Sequence, residues 1–126
     1  MFFRIQTNNG LAIYDQVVRQ IKFAVANRTL DTGQRVPSVR ELSKQLAINP
    51  NTVARAYRQL QDERVLESVR GLGLQVTATA AETCHAERVT LIRQRLADVL
   101  DEARQSGLTD QQIQQLVHET LARPSD

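Results

Sequence analysis

The sequence predicts a mainly α-helical chain carrying one small β-hairpin. Three observations lead there. Apolar residues recur at helical spacing in several separate stretches of the 126 residues. The segment SVRELSKQLAINPNTVARAYRQLQDE holds two distinct helix start signals, one at Ser38 and one at Asn49. The segment RVLESVRGLGLQVTAT alternates apolar and polar residues around Gly71-Leu72-Gly73, as a hairpin does.

The first helix is read in LAIYDQVVRQIKFAVANRTL. Ile13, Val17, Ile21 and Val25 fall on one face, with Tyr14, Val18 and Ala24 beside them. Asp31-Thr32-Gly33 then makes a turn. Pro37 restricts Val36 to extended backbone, and Ser38 with Glu41 forms a capping box. The helix that follows, through Val39, Leu42 and Leu46, is short, about nine residues. It breaks at Ile48-Asn49 because Asn49 is a preferred N-cap and Pro50 suits the first helical position. Val53, Ala56, Tyr57 and Leu60 give the next helix its apolar face, and it ends near Arg64. After the hairpin, ATAAETCHAE reads as a small-residue hinge. A helix of about 20 residues starts near Glu82, with a heptad-like seam of Val89, Ile92, Leu96, Val99 and Ala103, widened by Leu91 and Leu100. Gly107 stops it, Thr109 and Gln112 cap a final helix, and Ile113, Leu116, Val117 and Leu121 form that helix's face.

Composition bounds the function. Hydrophobic residues at 41% and charged residues at 24% fit a soluble globular protein. Aromatics at 4% and the absence of Trp imply an aliphatic core. No apolar run is long enough to span a membrane, MFFRIQTNNG lacks the pattern of a signal peptide, and one cysteine cannot make an internal disulfide. Together these predict a cytoplasmic protein with no membrane partner. The net charge of +2 conceals an asymmetry: residues 1–77 carry +5 and residues 78–126 carry −3. A basic N-terminal part suits a polyanion-binding module, although charge alone fits ordinary surface scatter equally well.

Helix, tight turn, helix and hairpin is the layout of a winged helix-turn-helix. The expected domains are a DNA-binding winged helix over 1–78 and a two-helix dimerisation region over 79–126. The second helix of such a pair fits the major groove of double-stranded DNA and presents its N-terminal residues to base edges. Here those are Asn49, Asn51 and Thr52, with Arg55 one turn on. Backbone N–H groups at Ser38 to Arg40 and at Asn51 and Thr52 are expected to hold phosphates. Arg70, at the hairpin tip, is placed for the adjacent minor groove, and Arg58 reads as solvated or phosphate-facing.

The stretch QRVPSVRELSKQLAINPNTVARAYRQLQDE resembles the signature of the GntR family of bacterial transcription regulators, as does the upstream IYDQVVRQIK. The resemblance covers about residues 12 to 77. With so few residues remaining after it, the chain is similar to the YtrA subfamily, whose short helical tail serves dimerisation. The resemblance implies DNA contacts at Arg35, Ser38 and Arg40, at Asn49, Asn51, Thr52 and Arg55, and at Gly71 and Gly73 in the wing. It also implies a homodimeric repressor of its own operon, including transporter genes, acting on a palindromic operator. Three residues depart from the pattern: Val36 replaces Leu, Arg64 replaces a Gly, and Leu72 replaces a frequent Arg or Lys between the wing glycines. Arg64 is expected to take a left-handed conformation at a cost of roughly 1 kcal/mol. Arg70 is the cation at hand to supply the charge that Leu72 lacks.

The same residues admit other readings. Tyr57 suits the core better than an interface, and Arg55, read first as a DNA contact, has bracing of the helix pair as its alternative. Cys84, His85 and His118 are too few for a metal site, so no metal or cofactor is expected, and Cys84 reads as an exposed or interface thiol. No Gly-rich phosphate loop or nucleophile–base pair points to an enzyme. The competing class is a protein-interaction module that recruits a partner through its C-terminal helices. Control by a small ligand, at the hinge or a dimer interface, stays open alongside no ligand at all.

Overall fold

A computed structural model of the chain describes residues 5–6 and 10–124. Among the described residues the order is α1 (Ile13–Ala26), α2 (Val39–Leu46), α3 (Pro50–Asp62), β1 (Leu66–Val69), β2 (Gly73–Val76), α4 (Ala80–Gln105) and α5 (Asp110–Ala122). The chain divides into two compact units, one up to Arg88 and one from Val89.

In the first unit α3 packs against α1, α2 and β1. Its core is aliphatic: Val17, Ile21 and Val25 of α1 meet Leu42 of α2 and Val53, Ala56 and Leu60 of α3, all fully buried. The helix breaks follow local chemistry. The Ser38 hydroxyl accepts from the Glu41 N–H at 3.0 Å, and the Glu41 carboxylate accepts from the Ser38 N–H at 3.2 Å. These bonds hold the Glu41 carboxyl below its ordinary pKa. α2 then stops after eight residues, because Ala47 turns left-handed (φ 53°). Asn49 opens α3 by accepting from the Asn51 N–H at 2.8 Å, with Pro50 at the first turn. At the other end of α3, Arg64 has φ 61°, the left-handed position anticipated from the missing glycine. Its carbonyl accepts a 2.7 Å bond from the Thr77 hydroxyl, which ties the end of the hairpin to the end of α3.

β1 and β2 pair antiparallel with Leu66 opposite Val76 and Val69 opposite Gly73. The loop closes with the Leu72 N–H on the Val69 carbonyl at 2.9 Å, and Gly71 supplies the positive φ of 77° that this turn needs. Residues 33–36, which lead from the Asp31-Thr32-Gly33 turn to the extended backbone expected at Val36, run along the far side of β2. Gly33 and Val36 donate to the Val76 and Leu74 carbonyls at 2.8 and 3.0 Å, and Arg35 bridges to Gln75.

One expectation is overturned here. ATAAETCHAE is not a hinge: α4 begins at Ala80, two residues from the expected start near Glu82, so most of that stretch is helical, and the helix is 26 residues long rather than about 20. Ala and Cys are small enough to sit close to the core, and Ala80 and Cys84, one turn apart, are both buried against it. Cys84 is therefore neither exposed nor at an open surface of the first unit, and burial pushes its thiol pKa up to about 11.

The second unit holds the rest of α4 and α5. Gly107 takes φ 96° in the turn between them, and Thr109 and Gln112 form the expected capping box. Arg104 pairs with Asp110 across this turn at 3.3 Å. Among the described residues no helix is long and apolar enough to cross a membrane.

Candidate nucleic-acid interface

α3 buries Val53, Ala56, Tyr57 and Leu60, so the 3.6-residue period turns Asn51, Arg55 and Arg58 outward together. All three are exposed, and Thr52 lies half-buried on the flank of the same face. The face ends in Asp62, an exposed carboxylate one turn beyond Arg58. The outward face is thus amide and cationic toward its N-terminus and acidic at its C-terminal limit. That polarity favours a polyanion near the start of the helix, where the dipole also favours it.

Tyr57 anchors the approach to this face. Its ring is buried and its hydroxyl donates to the Pro37 carbonyl at 2.7 Å, fixing the bend that leads into Ser38. Burial, reinforced by the negative charge of Glu41, raises the Tyr57 hydroxyl pKa far above its ordinary value, so it remains a donor. Beside this bend, Arg35, Ser38 and Glu41 border an open groove of about 600 Å³, with Leu72 and Gly73 of the wing on the other side. The structure therefore brings Arg35 and Ser38 together with the wing. Arg40 is exposed on α2, and Arg70 is exposed at the hairpin tip beside Gly71. Leu72 is 56% exposed, an apolar side chain in open solvent.

One expectation is revised by the hydrogen bonds. The N–H groups of Ser38, Asn51 and Thr52 are occupied by Glu41, by the Asn49 side chain and by the Asn49 carbonyl, respectively. That leaves only Val39 and Arg40 as N–H donors at the start of α2 from the predicted set, because the caps that start the helices consume the others. Arg55, exposed on the outward face, also makes a contact inside the chain: its guanidinium carbon sits 3.7 Å from the centroid of the Tyr14 ring on α1. Sequence reading had placed Tyr14 merely beside the apolar face of its helix.

The chain matches the family "Bacterial regulatory proteins, gntR family" over residues 13–76, from the start of α1 to the end of β2. It belongs to the gntR family. The family is one of regulatory proteins, not of enzymes. Similar proteins extend beyond the winged helix. The HTH-type transcriptional repressor YtrA of Bacillus subtilis is 29% identical over 119 residues, covering 94% of this chain and 92% of that protein. A transcriptional regulator from Oenococcus oeni has a crystal structure that is 31% identical, covers 96% of this chain and 100% of its own, and superimposes with a TM-score of 0.63. The AraR DNA-binding domain, crystallised with operator ORE1, is 25% identical with a TM-score of 0.51, over 61% of this chain and 94% of that one.

The residues expected at a dimer seam separate into two groups. Val89, Ile92, Leu96 and Val99 on α4 and Leu116, Val117 and Leu121 on α5 are exposed by 40% or more. Ile113 is 7% exposed, and it shares with the half-buried Leu100 an apolar cleft of about 400 Å³ within the second unit. Among the described residues, no group of three or more His, Cys, Asp or Glu side chains is placed to hold a metal ion.

Sequence reasoning missed one charged cluster altogether. Lys22, in the middle of α1, is 4% exposed and donates to Glu63 at 2.7 Å and to Glu87 at 2.8 Å. It joins α1, the C-cap of α3 and the start of α4. Lys22 lies outside the apolar stripe of α1 in sequence, so nothing local marks it as buried.

Proposed function

We propose that the chain is a homodimeric, sequence-specific DNA-binding repressor. The observation that carries this reading is the outward face of α3, with Asn51, Arg55 and Arg58 presented together beyond the Asn49 cap. A helix of this width enters the major groove, and short amides at its start pair with base edges while arginines reach bases or phosphates. Arg35, Ser38 and Arg40 flank the helix as backbone contacts, and Arg70 with Gly71 and Gly73 follows the minor groove beside it. The operator-bound AraR domain supports the same use of this fold.

Dimerisation is assigned to the exposed stripe of α4 and α5. Burying one such aliphatic side chain contributes roughly 1.5–3 kcal/mol, against an association cost of roughly 4–15 kcal/mol. Seven side chains on these helices, 40–80% exposed, are the apolar surface each protomer offers to its partner. Two-fold symmetry then requires a palindromic operator. The likeness to the transcriptional repressor YtrA supports repression as the outcome; the setting proposed with it, its own operon with transporter genes, rests on the family resemblance alone.

The test is selection of bound duplexes from a random pool at about 150 mM salt, which suppresses non-specific phosphate binding. Enrichment of a palindrome is expected. Salt-sensitive binding with no enriched sequence would remove the base-reading role from α3. On the selected site, Arg40→Ala is expected to cost roughly 1–3 kcal/mol if Arg40 reads a base. An equal loss on random DNA would make it a phosphate contact.

A further inference from the structure

We propose that Tyr14 is a positioning residue that holds Arg55 ready for DNA. The inference rests on the reading of α3 as the DNA-facing helix. Arg55 lies on the outward face of that helix, yet among the described residues no carboxylate pairs with it. What restrains it is the Tyr14 ring, 3.7 Å from the guanidinium carbon.

The geometry of a guanidinium makes this restraint useful. Its faces stack on an aromatic ring, while its five N–H donors point outward from its edges. Stacking therefore uses the faces and leaves the edge donors free for phosphate or base acceptors. An ion pair with a carboxylate would do the opposite: it would occupy the edges and neutralise the charge. A free arginine also loses much rotamer freedom when it binds, and a stacked one has already lost part of it. Tyr14 is itself well anchored. It is half-buried at the start of α1, packed against the core and followed by the fully buried Val17 and Ile21 that lock α1 to α3. The aromatic face is thus a rigid reference point from a different helix, and Arg55 takes its direction from the core rather than from solvent.

The experiment is a double-mutant cycle on the operator obtained by duplex selection, with thermal unfolding used to verify that each variant folds. Tyr14→Leu keeps apolar volume and removes the π-face. It is expected to weaken operator binding roughly two- to fivefold. The salt slope should stay unchanged, because the charge remains. Tyr14→Phe keeps the face and should bind as the wild type does. In an Arg55→Gln background, Tyr14→Leu should have no further effect. A purely structural role for Tyr14 predicts the same loss in both backgrounds, and that result overturns the proposal.

A measurement on the wild-type chain needs no variant. The Arg55 side-chain Nε–H signal should be displaced upfield by the Tyr14 ring current, and a random-coil position would also overturn the proposal. The two readings fail separately. If the wild type selects an operator but Arg55→Gln binds it equally well, the positioning role falls and the DNA-binding reading stands. If the wild type selects no sequence, both fall.

Discussion

Replacing Lys22 with Met tests how the first unit is held together. The methionine keeps the apolar stem of the side chain and deletes only the ammonium. Glu63 and Glu87, which both bond to that one nitrogen, are then left facing each other without a cation. Removing one partner of a fully buried pair costs about 3–5 kcal/mol. Here the two carboxylates are 36% and 31% exposed and can regain water, so about 2 kcal/mol is expected. For a unit of this size that corresponds to a fall in Tm of about 10 °C.

The pH dependence gives the assay its sign. Burial alone would lower the Lys22 pKa, but the bonds to Glu63 and Glu87 outweigh it and raise the value above the ordinary 10.5. This contribution is complete below pH 10.5 and is lost as pH rises through the folded value. Burial would raise the Glu63 pKa, but the bonds to Lys22 and Gln59 bring it below 4.5. Its contribution is present above pH 4.5 and is lost as pH falls through the folded value. Urea unfolding across this range should therefore show a wild-type plateau with an alkaline and an acid shoulder. Lys22→Met should lower the plateau and abolish the alkaline shoulder due to this residue. Lys22→Met combined with Glu63→Gln and Glu87→Gln should recover much of the loss. A Lys22→Met loss below about 0.5 kcal/mol would place the pair with ordinary surface bridges and refute the reasoning.

Three further outcomes are expected. Arg64→Gly relieves the left-handed strain of roughly 1–2 kcal/mol but adds unfolded-state entropy, for a net gain of about 0.5 kcal/mol in urea unfolding; a loss would mean that the Arg64 side chain stabilises the fold more than its backbone strains it. Tyr57→Phe leaves the Pro37 carbonyl without its donor and should cost about 1–1.5 kcal/mol by the same assay, with no loss expected only if water replaces the hydroxyl. Leu96→Glu puts a charge in the middle of the exposed α4 stripe and should give monomers in sedimentation, with weakened operator binding; dimers of normal affinity would move the seam elsewhere.

The local punctuation of the chain is legible in the order of its residues alone. Ser38 with Glu41, Asn49 with Pro50, and Thr109 with Gln112 start their helices where the structure starts them, because a cap bonds to N–H groups two or three residues away. The positive φ at Arg64 was legible from the residue type it replaces. The candidate interface was legible to the same depth: the outward positions of α3 follow from the spacing of its buried ones. Ala47, also left-handed, was not legible, since nothing in an alanine announces that conformation; it is the C-cap of α2 at the turn into α3. The segment ATAAETCHAE passes for a hinge because small residues suit a hinge and a tightly packed helix alike. Only the core against Ala80 and Cys84 decides between the two. The contacts between distant helices lie further still from local pattern. Lys22 meets carboxylates 41 and 65 residues away, and Arg55 finds its ring on α1. Such contacts depend on how whole helices cross, and that geometry exists only once the aliphatic core has closed.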